Sequence, residues 1–237
     1  MPSSLLLDPP KLTQPLQGSL FGAAKPSVRP LADCIERIQL DPCCWVDVAR
    51  GWFTGGDTLL EEMLSCLEWH HGERLMYGRF VDEPRLTGLG GVDDAPAIVT
   101  TLANQLATHY LRPFDAMFCN FYRDGKDSVA WHADRVGRQQ VDPLVAIITV
   151  GGPRPLQVRP RRNPNTPDAG TEFGLGSESF NLHSGDLLVM GGATQHHWEH
   201  RVPKRSYAPP RMSITLRTGS GSEETTALYQ SNRQASP

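Results

Sequence analysis

The sequence predicts a mainly β protein with flanking helices packed on the outside of a two-sheet sandwich or jelly roll. Three observations carry that expectation. The 22 Gly and 20 Pro of the 237-residue chain imply many turns. Two early segments repeat apolar residues at helical spacing, and beyond Arg112 the period changes from about 3.6 to about 2.

Length favours one domain. Its expected bounds are residues 31–219, because 1–30 is rich in Pro, Ser and Gln and 220–237 is polar, so both ends are expected to be disordered. From Asp57, read as an N-cap, "DTLLEEMLSCLEW" aligns Leu59, Leu60, Met63, Leu64 and Leu67 on one helical stripe. "APAIVTTLANQLATHY" does the same with Ile98, Val99, Leu102, Leu106 and Tyr110. The strands follow as "DAMFCNFY", "LVAIITV", "DLLVMGG" and "RMSITLR", short, β-branched or aromatic, and set apart by Gly, Pro and Asn. No internal repeat is present.

With 39% hydrophobic and 21% charged residues and a formal net charge of −3, the chain has no overall positive coat. Nucleic-acid binding would therefore need a local basic face. "PRPLQVRPRR" (Arg154, Arg159, Arg161, Arg162), with Lys204 and Arg205, offers phosphate contacts, and a solvated loop face accounts for the same residues equally well. Five cysteines (Cys34, Cys43, Cys44, Cys66, Cys119), an odd number without a C-x-x-C pair, fit neither a disulfide framework nor a zinc knuckle. Cys43 and Cys44, beside Trp45, read as ordinary buried residues. "MPSSLLLDPP" has no basic start or long apolar stretch, so a soluble, unexported protein with reduced thiols is expected.

The chemistry concentrates in "NFYRDGKDSVAWHAD", residues 120 to 134. Positions i and i+2 of a strand face the same way, so His132 and Asp134 can aim an imidazole and a carboxylate at one cation. "GGATQHHWEHRVPK" offers a third ligand from His196, His197 or His200. Two histidines plus one carboxylate, with positions left open, is the facial arrangement of non-haem Fe(II) oxygenases. In "RMSITLR", Met212, Ile214 and Leu216 suit a core, whereas Arg211, Ser213, Thr215 and Arg217 share the other face. Two guanidinium groups grip carboxylates bidentately, so that face suits a dicarboxylate. Asn120 and Tyr122 point away from Cys119 and Phe121 and supply amide and phenol hydrogen bonds to a polar ligand.

In order, "NFYRDGKDSVAWHAD", "GATQHHWEHRVPK" and "PPRMSITLRT" resemble the AlkB-type Fe(II)/2-oxoglutarate dioxygenases, which repair alkylated nucleic acids. The resemblance covers about residues 75 to 219. It implies a double-stranded β-helix, the jelly-roll core of a dioxygenase domain. It makes His132, Asp134 and His200 the iron ligands, with His196 and His197 as neighbours. It assigns Asn120, Tyr122, Arg211 and Arg217 to 2-oxoglutarate, with Ser213 and Thr215 as lesser candidates. The implied cofactor is Fe(II) and the cosubstrates are 2-oxoglutarate and O2. Succinate and CO2 are the implied products, while an alkyl carbon on a base such as 1-methyladenine or 3-methylcytosine is hydroxylated and leaves as an aldehyde.

Two departures from the family pattern bear on substrate choice. "EPRLTGLGG" resembles the segment that approaches a flipped base, but Gly88, Leu89, Gly90 and Gly91 stand where aromatic residues are usual. Tyr77, Phe80 and Trp131 are the available substitutes, although Trp131 alternates away from His132 and Asp134 and is expected to pack. Arg135 follows Asp134 where relatives often carry a second acidic residue. The expected partner is alkylated DNA or RNA. A lesion in a duplex must be flipped out, and short basic loops with weak stacking equipment favour single strands. The expected state is a monomer in the cytoplasm, with access to the nucleoid or nucleus. Two other readings use the same residues. One is a 2-oxoglutarate oxygenase acting on a protein or small molecule; the other is a non-catalytic nucleic-acid-binding module of the same fold, against which the full set of polar residues argues.

Overall fold

A computed structural model describes residues 10, 12, 25–76, 79–134, 140–161 and 176–218, with backbone alone at 73–76 and 79–82. In chain order the elements are β1 (Ser27–Val28), β2 (Ile35–Asp41), β3 (Cys44–Ala49), β4 (Phe53–Thr54), α1 (Gly56–Cys66), β5 (Glu68–Met76) and β6 (Arg79–Gly91). They continue with α2 (Ala97–Tyr110), β7 (Ala116–Tyr122), β8 (Val129–His132), β9 (Val145–Gly151), β10 (Arg154–Pro160) and β11 (Glu178–Leu182). The last are β12 (Leu187–Gly192), α3 (Thr194–His197), β13 (Trp198–Val202) and β14 (Arg211–Arg217).

An eight-stranded sheet runs β2-β3-β12-β9-β14-β7-β6-β5, and a four-stranded sheet runs β11-β10-β13-β8. Their ladders are antiparallel, the pairing expected of a jelly roll. The central strands of the larger sheet are buried on both faces, which explains apolar runs as continuous as "VAIITV". Ala146, Ile148 and Val150 pack toward α1 and α2 with Leu59, Leu60, Met63, Val99, Leu102 and Leu106. Val145 and Ile147 face the smaller sheet, where they join Leu156, Val158, Phe180 and Val202. Helices thus back one side of the large sheet, and the site lies on the other side, between the sheets.

Three expectations need correction. Strands do not wait for the helices: β2 and β3 precede α1, and the β5–β6 hairpin is inserted between α1 and α2. Ser27 and Val28 pair with Thr54 and Phe53, so ordered structure begins ahead of residue 31. Asp57 lies in the first turn of α1 rather than at its cap, which Gly55 occupies at φ 81, a left-handed conformation that glycine adopts without strain. Leu67 has left the helix, yet it remains in the core. Among the described residues no helix is long and apolar enough to cross a membrane.

Candidate active site

Strands β8 and β13 lie side by side with His132 directly opposite His200, their ring centroids 4.2 Å apart. Asp134 follows β8 and turns back toward both. His132 Nε2 is 4.0 Å from Asp134 Oδ1, and His200 Nε2 is 3.9 Å from Oδ2. One donor from each residue lies within 4.8 Å of the others, close enough to converge on a single cation. The sequence puts two of these groups two residues apart and the third across a ladder, so a local bite and a tertiary contact build the set together.

Neighbours hold each ligand in place. His132 Nδ1 is 2.8 Å from the Ala130 carbonyl, which can only accept, so Nδ1–H donates and Nε2 is the nitrogen turned toward Asp134. The Asp134 backbone N–H donates to Gln195 Oε1 at 2.9 Å, and Arg217 Nη2 donates to Asp134 Oδ1 at 2.6 Å. Burial raises the Asp134 carboxyl, but Arg217, His200 and His132 together outweigh it and leave the carboxyl below its ordinary range. Burial pushes His200 down to about 3, so its imidazole is neutral and ready to ligate. The His132 side chain keeps 33% of its surface exposed, against 10% for Asp134 and 7% for His200, so the site opens past His132.

The cradle for a second ligand comes from three adjacent strands. On β14, Arg211 stands opposite Tyr122 of β7 and Gly151 of β9, while Ser213 stands opposite Asn120 and Thr149. Arg211 is fully buried and donates to Ser213 Oγ and Thr149 Oγ1, both at 3.2 Å. Its guanidinium lies 5.3 Å from the Tyr122 ring centre. Its Nε has no hydrogen-bond partner, and among the described residues no carboxylate pairs with it. Burial lowers this guanidinium to about 10. A buried cation without an anion is costly, and a ligand carboxylate is the group that relieves it. Arg217 Nε is likewise buried without a partner, although Nη2 is bound to Asp134. These orphaned donors fit a dicarboxylate that reaches from Arg211 toward the cation site.

All of the sequence-selected residues Asn120, Tyr122, Arg211, Ser213, Thr215 and Arg217 therefore lie on the site side of the large sheet, and His132, Asp134 and His200 meet beside them. Sequence reasoning missed Gln195, Thr149 and Arg85. Arg85 Nε donates to Asn120 Oδ1 at 2.7 Å, which fixes that amide and leaves its nitrogen to donate. It sits in "EPRLT", a segment read for base contact rather than for this support. His196 and His197 turn elsewhere: His196 Nε2 meets the Gln140 carbonyl at 2.7 Å, and His197 faces Cys43 and Cys44.

The basic stretch divides. Arg154 is wholly buried and donates to the carbonyls of Asp124, Asp127 and Pro203, so it is no phosphate contact. Arg159 pairs with Glu199, and the guanidinium groups of Arg159 and Arg201 lie 4.1 and 4.5 Å from the Trp131 ring centre on the outer face of the smaller sheet. Trp131 thus packs away from the cation site. Arg161, Lys204 and Arg205 are exposed. The glycines at 88 and 90 point to the core, where a Cβ would lie 3.2 Å from Trp69 and Leu67 at position 88 and 2.9 Å from Leu67 at position 90. Cys43 is exposed, contrary to expectation, whereas Cys44 is buried. Arg135, Arg162 and the side chains of Tyr77 and Phe80 lie outside the described residues.

A jelly roll that sets two histidines and a carboxylate beside a buried arginine cradle has the parts of a non-haem iron oxygenase. A family model described as the 2OG-Fe(II) oxygenase superfamily matches residues 52–217. Alpha-ketoglutarate-dependent dioxygenase alkB homolog 3 of Homo sapiens is 30% identical over 198 residues, covering 78% of this chain and 66% of its own length. The Mus musculus protein of that name is 30% identical over 176 residues, 68% of this chain and 61% of its own. DNA oxidative demethylase ALKBH2 of Arabidopsis thaliana is 32% identical over 117 residues, 44% of this chain and 37% of its own. The solved structure of OsALKBH1 aligns with a TM-score of 0.49 and 15% identity, covering 78% of this chain and 100% of that one. The chain spans about three-fifths to two-thirds of the length of the alkB homolog 3 proteins. It belongs to the 2OG-Fe(II) oxygenase superfamily, as an AlkB-type member whose cofactor is Fe(II) and whose cosubstrates are 2-oxoglutarate and O2.

Proposed function

We propose that this chain oxidatively removes alkyl groups from damaged nucleic-acid bases, acting on 1-methyladenine and 3-methylcytosine in single strands. The observation that carries the reading is the meeting of His132, Asp134 and His200 beside Arg211, a buried cation that no anion meets among the described residues. Fe(II) with 2-oxoglutarate supplies O2 activation and oxidation of a C–H bond, leaving succinate and CO2. His132, Asp134 and His200 would hold the metal through three neighbouring positions and leave the others for ligands. Arg211, with Ser213, Thr149 and Tyr122 around it, would grip the far carboxylate of 2-oxoglutarate. Arg217 and Asn120 would orient the end nearer the metal. Fixing both ends places the reactants before reaction, which is the protein's main contribution here. His132 is the most exposed of the three, so the base would enter on its side.

The relatives' names support a nucleic-acid substrate, since one of them is a DNA oxidative demethylase. A methyl group that blocks pairing lowers the cost of exposing the base, and a single strand removes that cost. The test supplies Fe(II), 2-oxoglutarate and ascorbate and measures succinate and formaldehyde with a single-stranded oligonucleotide carrying 1-methyladenine or 3-methylcytosine. Both products are expected only with the methylated strand, and faster than with its duplex. Succinate without formaldehyde would redirect the assignment to a protein or small-molecule substrate, and equal rates on duplex and single strand would remove the strand preference.

A further inference from the structure

We propose that Asp41, Cys43, Cys44 and His197 form a second metal site, built for Zn2+ and separate from the iron site. The two sulfurs lie 3.8 Å apart. His197 Nδ1 is 3.5 Å from Cys43 Sγ and 3.8 Å from Cys44 Sγ, and Asp41 Oδ1 is 3.3 Å from Cys43 Sγ. All four donors fall within 4.8 Å of one another. Tetrahedral zinc, with Zn–S of about 2.3 Å and Zn–N or Zn–O of about 2.0–2.1 Å, requires its donors to be roughly 3.4 to 3.8 Å apart. Four of the six separations match, to about 0.3 Å, a tetrahedral shell with two sulfurs, one imidazole and one carboxylate, and the other two lie within 4.8 Å.

The donors come from two places held together by other contacts. Asp41 ends β2, Cys43 lies in the turn and Cys44 begins β3; His197 ends α3, more than 150 residues later in the chain. Ala193 N–H donates to the Cys43 carbonyl at 2.8 Å, and Thr194 Oγ1, which donates to the Gly191 carbonyl at 2.5 Å, lies 3.2 Å from the Trp45 carbonyl. Trp198 Nε1 donates to Asp41 Oδ2 at 2.6 Å, while Oδ1 accepts the Cys43 backbone N–H at 2.9 Å and keeps a further lone pair toward Cys43 Sγ at 3.3 Å. Such an outer partner orients a ligating carboxylate. Cys43 and His197 are exposed, so a cation can enter from solvent.

The two sites differ in chemistry. His132, Asp134 and His200 offer nitrogen and oxygen only, which suits iron; two thiolates select a softer ion. Four protein ligands make a closed, structural site rather than a catalytic one. Both thiols bind as thiolates, so two protons leave as the cation enters. The bound ion would clamp the β2–β3 turn to α3, the helix whose Gln195 holds the Asp134 backbone.

Cobalt tests this, because thiolate-to-cobalt charge transfer reports sulfur ligation and the iron triad has no sulfur. The full chain, reduced and stripped of metal, is titrated with Co2+ while absorption is recorded. A charge-transfer band is expected in the wild type and in His132→Ala, and Zn2+ should bleach it. Cys43→Ser and His197→Asn should each weaken this binding by about tenfold or more, a loss at least as large as that from disturbing an outer partner. Near-ultraviolet circular dichroism of both variants shows that they are folded, and cobalt at the intact triad gives an internal control. Absence of the band in the wild type, or its survival in the Cys43→Ser/Cys44→Ser double variant, would overturn the assignment.

Discussion

Arg211 and Arg154 flank Tyr122, at 5.3 and 5.7 Å from its ring, and both are fully buried. Their surroundings give them opposite thermodynamic meanings. Arg211 meets the hydroxyls of Ser213, Thr149 and Tyr122 and, among the described residues, no anion, so in the ligand-free protein it is a desolvated charge only partly compensated. Arg211→Met is predicted to keep or raise the thermal stability of the ligand-free protein. The same change should weaken 2-oxoglutarate binding by roughly 30-fold or more, which is about 2 kcal/mol or more, as measured by calorimetry. A fall in ligand-free stability without loss of binding would refute this account. At this scale the sequence was informative wherever strand alternation applied: Asn120 with Tyr122, and Arg211, Ser213, Thr215 and Arg217, share the faces their spacing predicts, whereas Asp134 lies beyond the end of β8 and reaches His132 by a turn rather than by alternation. Gln195, Arg85 and Thr149 were not legible, because each acts through a contact between distant segments and no spacing marks it.

At the scale of elements, Arg154 at the start of β10 shows what an exposed-looking basic stretch conceals. Its guanidinium ties the carbonyls of Asp124 and Asp127, in the loop after β7, to that of Pro203 beyond β13. Hydrogen bonds from a charged donor contribute about 1.5 kcal/mol or more each, so Arg154→Met is predicted to cost about 3 kcal/mol after relief of the buried charge. A lower urea midpoint with an unchanged slope would express that loss. The same lesson covers the strands that period alone did not announce. β10 and β13 carry Arg159, Arg201 and Glu199 outward around Trp131, and their inward residues are interrupted by polar ones, so the apolar alternation is short. β7, β9, β12 and β14 were readable because the helices cover one face and the small sheet the other, which makes nearly every position apolar or functional. Gly191 in β12 lets the Trp45 ring lie against the backbone, where a Cβ would come within 2.1 Å of it. Gly191→Ala should therefore cost about 1–3 kcal/mol by overpacking, read from the same denaturation midpoint.

The whole molecule is a scaffold whose two sheets are joined where the ligands bind. Arg211 and Arg217 belong to the large sheet, whereas His132 and His200 belong to the small one. Filling the site should consequently stabilise the entire fold. With Mn2+ standing in for iron and 2-oxoglutarate at about 100 times its Kd, binding adds about 2.7 kcal/mol. For a chain of this size that corresponds to a rise of roughly 5–10 °C in Tm, measurable by scanning calorimetry. A shift below about 2 °C would mean that the two sheets do not share the site's binding energy. One contact carries a further consequence. Arg217 is bonded to Asp134, so a residue of the dicarboxylate cradle already touches a metal ligand. The two binding equilibria are then heterotropically linked: whatever factor the metal adds to 2-oxoglutarate affinity, 2-oxoglutarate must add to metal affinity. The predicted outcome is that the metal and 2-oxoglutarate alter each other's affinity by one common factor, which metal titrations with and without 2-oxoglutarate measure.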